Sequence, residues 1–201
     1  MGRATGSGGY GRGNTRISLR RIGMAIRQIL RMGHPNLRRV APPVDVERIA
    51  TPDMERLLQD MVDTLKDAGG IGLAAPQIDE DLRLAIIEVP GGPSRYGKIE
   101  AMPLTVFFNP VIEVLEEQRA GYWEGCLSIP GLRGFVERPQ HIRVTYTNET
   151  RNTEKLELRG FLATVMQHEF DHLDGRLYID RMTDPTQLSF EDEWLEHHSN
   201  S

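Results

Sequence analysis

One cysteine, Cys126, is the only thiol in the 201 residues, so no intrachain disulfide can form. Its isolation suits a reducing compartment and leaves the thiol as either a small buried filler or a functional group. Long apolar runs are also missing, and nothing approaches the roughly 20 apolar residues of a membrane-spanning helix. The chain is 39% apolar, 6% aromatic and 26% charged, which suits one globular domain with a sizeable core. A surplus of positive charge is absent as well. The net charge of −5 and pI near 5.7 argue against a direct nucleic-acid site spread over the whole molecule.

Acid is missing altogether from one stretch. Residues 1–23 hold Arg3, Arg12, Arg16, Arg20 and Arg21, seven Gly and neither Asp nor Glu. Removing those five charges leaves the remainder at about −10. Too few apolar side chains are present here to pack, so this Arg/Gly-rich leader is expected to be disordered. It reads as an appended expression leader, as upstream codons before a start at Met24, or as an organelle transit segment. The glycine density suits the first two better. A bacterial cytoplasmic location follows from those, and an organellar one from the third.

What the chain does contain is a cluster of ligating side chains in Phe161 to Gly175, FLATVMQHEFDHLDG. His168, Glu169 and His172 fall in the order H-E-x-x-H. Residues four apart on a helix lie one above the other, so both imidazoles face the same way. Two neutral imidazole nitrogens supply half of a tetrahedral metal site, and the Glu beside them can reach a metal-bound water. Apolar neighbours on most sides predict that this helix is buried. The same spacing also occurs on ordinary solvated helix faces, and the third ligand must come from elsewhere.

Ahead of this helix, Thr51-Pro52-Asp53 gives an N-cap, a first-turn proline and a first-turn acid. Met54, Leu57, Leu58, Met61, Val62 and Leu65 follow with the spacing of one buried stripe, and Gly69-Gly70 ends it. Next comes GIGLAAPQ, residues 70–77, whose small residues permit close approach of a backbone or ligand. It lacks the Lys-Ser/Thr ending of a phosphate loop. Between Leu82 and Gly160, strand signals dominate at Leu84–Val89, Thr105–Phe108, Val111–Leu115, Ile142–Thr147 and Lys155–Leu158. Their short connections predict antiparallel pairing. The fold class is therefore α+β, with short antiparallel sheets packed around the central buried H-E-x-x-H helix. Within the β region stands EGCLSIP, residues 124–130, and its Cys126 is either a buried hydrophobe or the missing thiolate ligand.

Together GIGLAAPQ, EGCLSIP and QHEFDHLDG, in that order and at those separations, resemble the three signature motifs of the peptide deformylases. The resemblance covers a catalytic domain over residues 24–182 and leaves 183–201 as an acidic C-terminal tail. It implies hydrolysis of the N-formyl group from the initiator methionine of nascent polypeptides, with release of formate. It also implies one divalent metal on Cys126, His168 and His172, typically Fe2+, with Zn2+, Ni2+ or Co2+ able to occupy the site. Glu169 would be general base and then general acid. The Gln77 side-chain amide and the Leu127 backbone N–H would donate to the formyl oxygen. By the same similarity Ile71, Tyr122, Phe161 and Val165 line the methionine pocket, Ile71 and Gly72 pair with the peptide backbone, and Arg133 lies toward its downstream end. Core packing is the plainer reading of each apolar member. The basic C-terminal helix that some bacterial relatives use on the ribosome is not seen here, so ribosome contact would need another route.

Two rivals remain open on sequence. A zinc peptidase would take its third ligand from Glu191 or Glu193, because Tyr178 stands where an extended motif needs a histidine. A metal-stabilised binding module would show a closed site and no dependence on Glu169.

Overall fold

Helix α1 (Pro52–Ala68) begins as its cap chemistry requires, with the Thr51 side chain accepting the Met54 N–H at 3.4 Å. It buries the expected stripe from Met54 to Leu65 and stops at Gly69, whose φ of 64° places it in the left-handed region. The computed structural model describes residues 25–94 and 97–198, so the leader expected over residues 1–23 lies outside the described residues.

Strand β1 (Gly72–Ala74) follows and runs into a 3-10 turn over Ala75–Ile78. Next come β2 (Leu84–Val89), a small ribbon of β3 (Gly92–Ser94) with β4 (Gly97–Ile99), and then two long strands, β5 (Met102–Cys126) and β6 (Ile129–Thr147). Strand β7 (Thr153–Arg159) leads directly into α2 (Gly160–Leu173). The main sheet is antiparallel in the order β1-β2-β5-β6-β7.

Leu84, Ile86, Val106 and Phe108 pack on the α1 side of this sheet, whereas Ala85, Ile87 and Phe107 pack on the α2 side. Both faces are covered, which is why β2 reads as a continuous apolar run and not as an alternation. Helix α2 buries ten of its fourteen residues, so it occupies the central position expected of it.

The strands are longer than their sequence signals. Thr105–Phe108 and Val111–Leu115 belong to one strand, and Asn109-Pro110 is absorbed as a register shift between Phe108 and Val111. Asn109 has φ of 52°, and its amide bonds both the N–H and the C=O of Val44, at 2.7 and 2.8 Å. Further shifts between Val114 and Arg119 and between Glu124 and Cys126 add local twist, which lets strands of 25 and 19 residues stay within one small unit.

Beyond Met182 the chain continues to pack on the same unit. Strand β8 (Leu188–Phe190) pairs with β6, and helix α3 (Glu191–His197) buries Trp194 to 1% exposure. At the other end an extended segment crosses two motifs. Leu30 N–H donates to the Gln77 carbonyl at 2.7 Å and Met32 N–H to the Ser128 carbonyl at 2.8 Å, tying the 3-10 turn to the β5–β6 turn.

Candidate metal centre and groove

Cys126 is the last residue of β5, and a two-residue turn of Leu127 and Ser128 leads from it into β6. Opposite this turn lies α2, whose helical spacing presents His168 and His172 together, their rings 5.2 Å apart. One ligand atom from each of Cys126, His168 and His172 lies within 4.8 Å of the others, and Cys126 Sγ is 3.3 Å from His172 Nε2. Bonds of about 2.0–2.3 Å to a tetrahedral centre place such donors about 3.3–3.7 Å apart. Soft thiolate with two imidazoles is also a donor set that divalent iron and zinc accept. The residues therefore fit a divalent metal.

A carboxylate orients the first imidazole. Glu124 Oε2 lies 2.7 Å from His168 Nδ1, so that nitrogen carries the proton and Nε2 is left for the centre. Glu124 is in turn gripped by Arg138, with Nε–Oε1 at 2.6 Å and Nη2–Oε2 at 3.0 Å. Arg138 reaches Asp171 at 2.8 Å, and Asp171 also takes Arg181. All of Glu124, Arg138 and Asp171 are buried. Burial disfavours the Glu124 charge, but His168 and Arg138 outweigh it and hold the carboxyl below its ordinary pKa. Tyr178 lies parallel to the His168 ring at 6.1 Å.

Charge at the centre is finely set. Burial opposes a thiolate at Cys126, yet the two adjacent imidazoles hold its pKa well below the usual range. Glu169 differs, because burial pushes its pKa up past the opposing pull of His168 and His172. Its carboxylate packs on the backbone of Gly72, where an added Cβ would lie 2.4 Å from the carboxyl carbon. A side chain at position 72 would displace this carboxylate, and this is the physical content of the second glycine in GIGLAAPQ.

Gln77 comes from the 3-10 turn. Its Oε1 accepts the Ala74 N–H at 2.9 Å, so its Nε2 must face the centre, 3.1 Å from Ser128 Oγ and 3.7 Å from Cys126 Sγ. The Leu127 side chain packs instead toward α1, against Gly70, so its backbone is what it offers the site.

A groove of about 610 Å³ opens over this centre. Ile71, Gly72, Tyr122, Phe161 and Val165 line it, together with Gln77, Leu127, Glu169 and Arg133. The structure thus brings every site residue expected from sequence to one place. Tyr122 and Phe161 meet edge to face at 5.8 Å, and Tyr122 Oη donates to Gln140 at 3.3 Å. Neither acid of the peptidase alternative reaches the centre, since Glu191 bonds Arg133 and Glu193 lies beside His197. A second surface depression of about 600 Å³ near Arg27 and Asp60 contains none of the three ligating residues.

Sequence reasoning missed the Glu124–Arg138–Asp171 network. Glu124 stands two residues before Cys126, which hints at a supporting role, but Arg138 in VERPQH looks like any solvated charge. His198 stacks on Trp123 with ring centroids 5.2 Å apart.

Known proteins resemble this chain in sequence and fold. The sequence profile described as polypeptide deformylase matches residues 26–188. Peptide deformylase 1 of Bordetella pertussis is 47% identical over 165 residues, covering 82% of this chain and 92% of its own. The peptide deformylase of Leptospira biflexa is 42% identical over 159 residues, covering 79% and 89%. Among solved structures, a peptide deformylase from Synechococcus elongatus in complex with actinonin superposes with a TM-score of 0.71 at 32% identity, covering 86% of this chain and 87% of that one. A Met-Ala-Ser-bound class I type b peptide deformylase from Acinetobacter baumannii gives 0.73 at 31% identity, covering 80% and 100%.

Proposed function

This chain belongs to the peptide deformylase family, and from that membership we propose how its own residues remove the N-formyl group from the methionine of nascent polypeptides. The enzyme is a hydrolase. Water adds to the formyl carbon, the C–N bond breaks, and formate and a free amine leave.

Cys126, His168 and His172 would hold the metal. A divalent cation there supplies Lewis acidity, which makes water nucleophilic near neutral pH and polarises a carbonyl oxygen. Glu169 accepts the proton of the attacking water and delivers it to the amine nitrogen as the C–N bond breaks. Burial raises its pKa in the metal-free chain, which favours uptake of a proton from water. Gln77 Nε2 and the Leu127 backbone N–H donate to the formyl oxygen as negative charge grows on it. Losing one such donor typically costs about 2.7–4 kcal/mol of barrier.

Ile71, Tyr122, Phe161 and Val165 take up the methionine side chain. Ile71 and Gly72 pair with the peptide backbone, a role supported by the position of β1 at the edge of the sheet. Arg133 serves the peptide's downstream end. The family resemblance points to Fe2+ as the metal, with Zn2+, Ni2+ and Co2+ as substitutes, and thiolate and imidazole ligands suit iron and zinc alike. No described helix is long and apolar enough to cross a membrane. The bacterial relatives support a cytoplasmic location. Contact with the ribosome would use a surface other than α3, whose first turn is acidic at Glu191, Asp192 and Glu193.

The observation that carries this reading is the convergence of Cys126, His168 and His172 within 4.8 Å beside the buried Glu169. Its test is formate release from formyl-Met-Ala-Ser by anaerobically prepared, iron-loaded protein, with metal content measured in parallel. Cys126→Ala should lose both metal and turnover. Full metal retention in that variant, or no formate from metal-replete wild type, would end the proposal.

A further inference from the structure

One acidic residue of the groove lies outside the family match. Matching ends at residue 188, and Glu191, the first residue of α3, lines the groove three positions later. Pairing of β8 with β6 puts Ser189 opposite Arg133, so the turn into α3 carries Glu191 back over that arginine. Arg133 Nε donates to Glu191 Oε1 at 3.0 Å, and its Nη2 donates to the same oxygen. Glu191 Oε2 takes no bond among the described residues. The guanidinium lies over the Trp194 ring at 5.5 Å and beside Gly125, where an added Cβ would be 2.4 Å from Nη1. Gly125 is the neighbour of Cys126, so this charged pair stands at the edge of the reaction centre.

We propose that Glu191 is a specificity-determining residue that sets the groove's charge preference for the residues following formylmethionine. By itself Arg133 would favour acidic side chains in the leaving peptide and disfavour basic ones. Glu191 cancels that field, and its partly exposed carboxylate leaves negative charge where a lysine or arginine of the peptide can be met. The side chains of the pair are 30% and 40% exposed, so the effect is of surface strength and screened by salt. A latch that only fastened α3 would not need its charge, whereas the proposed role does. This inference rests on the deformylase reading.

Glu191→Gln tests it, because the amide oxygen can still accept from Arg133 while the charge is gone. Steady-state formate release would be followed on C-terminally amidated formyl-Met-Ala-Lys, formyl-Met-Ala-Asp and formyl-Met-Ala-Ser, and on the set with charge at the second residue. The Lys-to-Asp ratio of kcat/KM should fall about threefold to tenfold in Glu191→Gln, through KM more than kcat, and the change should shrink at high salt. Arg133→Gln should move the ratio the opposite way. Glu193→Gln makes the same change in net charge on the outer side of α3, beside His197, and should shift the ratio less than about twofold. Ratios in Glu191→Gln within twofold of wild type at both positions, or an equal shift in Glu193→Gln, would overturn the proposal. Formate release with unchanged ratios would refute the role of Glu191 alone. No formate from any peptide would refute the activity on which it stands.

Discussion

Replacing Arg138 with Leu removes a cation that is 3% exposed and holds two carboxylates, Glu124 and Asp171, that are 7% and 6% exposed. Breaking a buried ion pair from one side typically costs about 3–5 kcal/mol, because the remaining charge stays buried and uncompensated. Two details set the lower end of that range here. Asp171 keeps Arg181 and Glu124 keeps His168, so neither is wholly abandoned. A loss of about 3 kcal/mol is therefore expected. With a urea m-value of about 2 kcal/mol per molar, the midpoint should drop by about 1.5 M. Both proteins should be compared metal-free, since binding to the folded state would offset the difference. The same variant loosens Glu124 behind His168, so metal affinity should fall about 10- to 100-fold. Glu124→Gln should lower affinity by a similar factor, because an amide oxygen is a weaker partner for His168 Nδ1–H and the amide NH2 meets donors of Arg138 or His168. A midpoint change below about 0.5 M in Arg138→Leu would refute the view that this cation compensates buried charge.

Gly72→Ala should displace the Glu169 carboxylate, since the new methyl would sit 2.4 Å from it, and the three atoms nearest that methyl all belong to Glu169. Turnover should fall at least about 100-fold with metal content retained; normal kcat would show that Glu169 need not stand there. The pH dependence follows from the raised pKa of Glu169. The unfolded chain releases this proton near 4.5 and the folded metal-free chain only at higher pH, so folding is penalised progressively as pH rises between those two values. Metal-free Glu169→Gln should accordingly be more stable than wild type at pH 8 and close to it at pH 4, by urea denaturation. Equal stability at both pH values would contradict the assignment of burial as the dominant cause.

Local signals were read well where local physics decides. The Thr51-Pro52 start and Gly69 stop of α1 depend on a cap side chain and a left-handed glycine, both written at their own positions. Strand β2 matched its apolar run because its faces are both covered. Asn109-Pro110 misled, since a turn dipeptide is also a bulge when Val44 supplies partners from 65 residues away. Beyond Met182 the acidic composition suggested a tail, but the Trp194 indole had a place waiting beside Trp123. Nothing in the adjacent sequence records that place.

By itself, the sequence determined the chemistry available to this protein. Helical periodicity sets His168 and His172 on one face, and Cys126 is the sole thiol that could join them. Only the tertiary structure decided how those groups are held and charged. Arg138 becomes a buried partner of Glu124 because β5 and β6 fold back on each other, and of Asp171 because α2 packs across them. Gly72 faces Glu169 across 97 positions of chain, and Glu191 reaches Arg133 across 58. Burial and pairing at such separations arise from packing, and no window of sequence contains them.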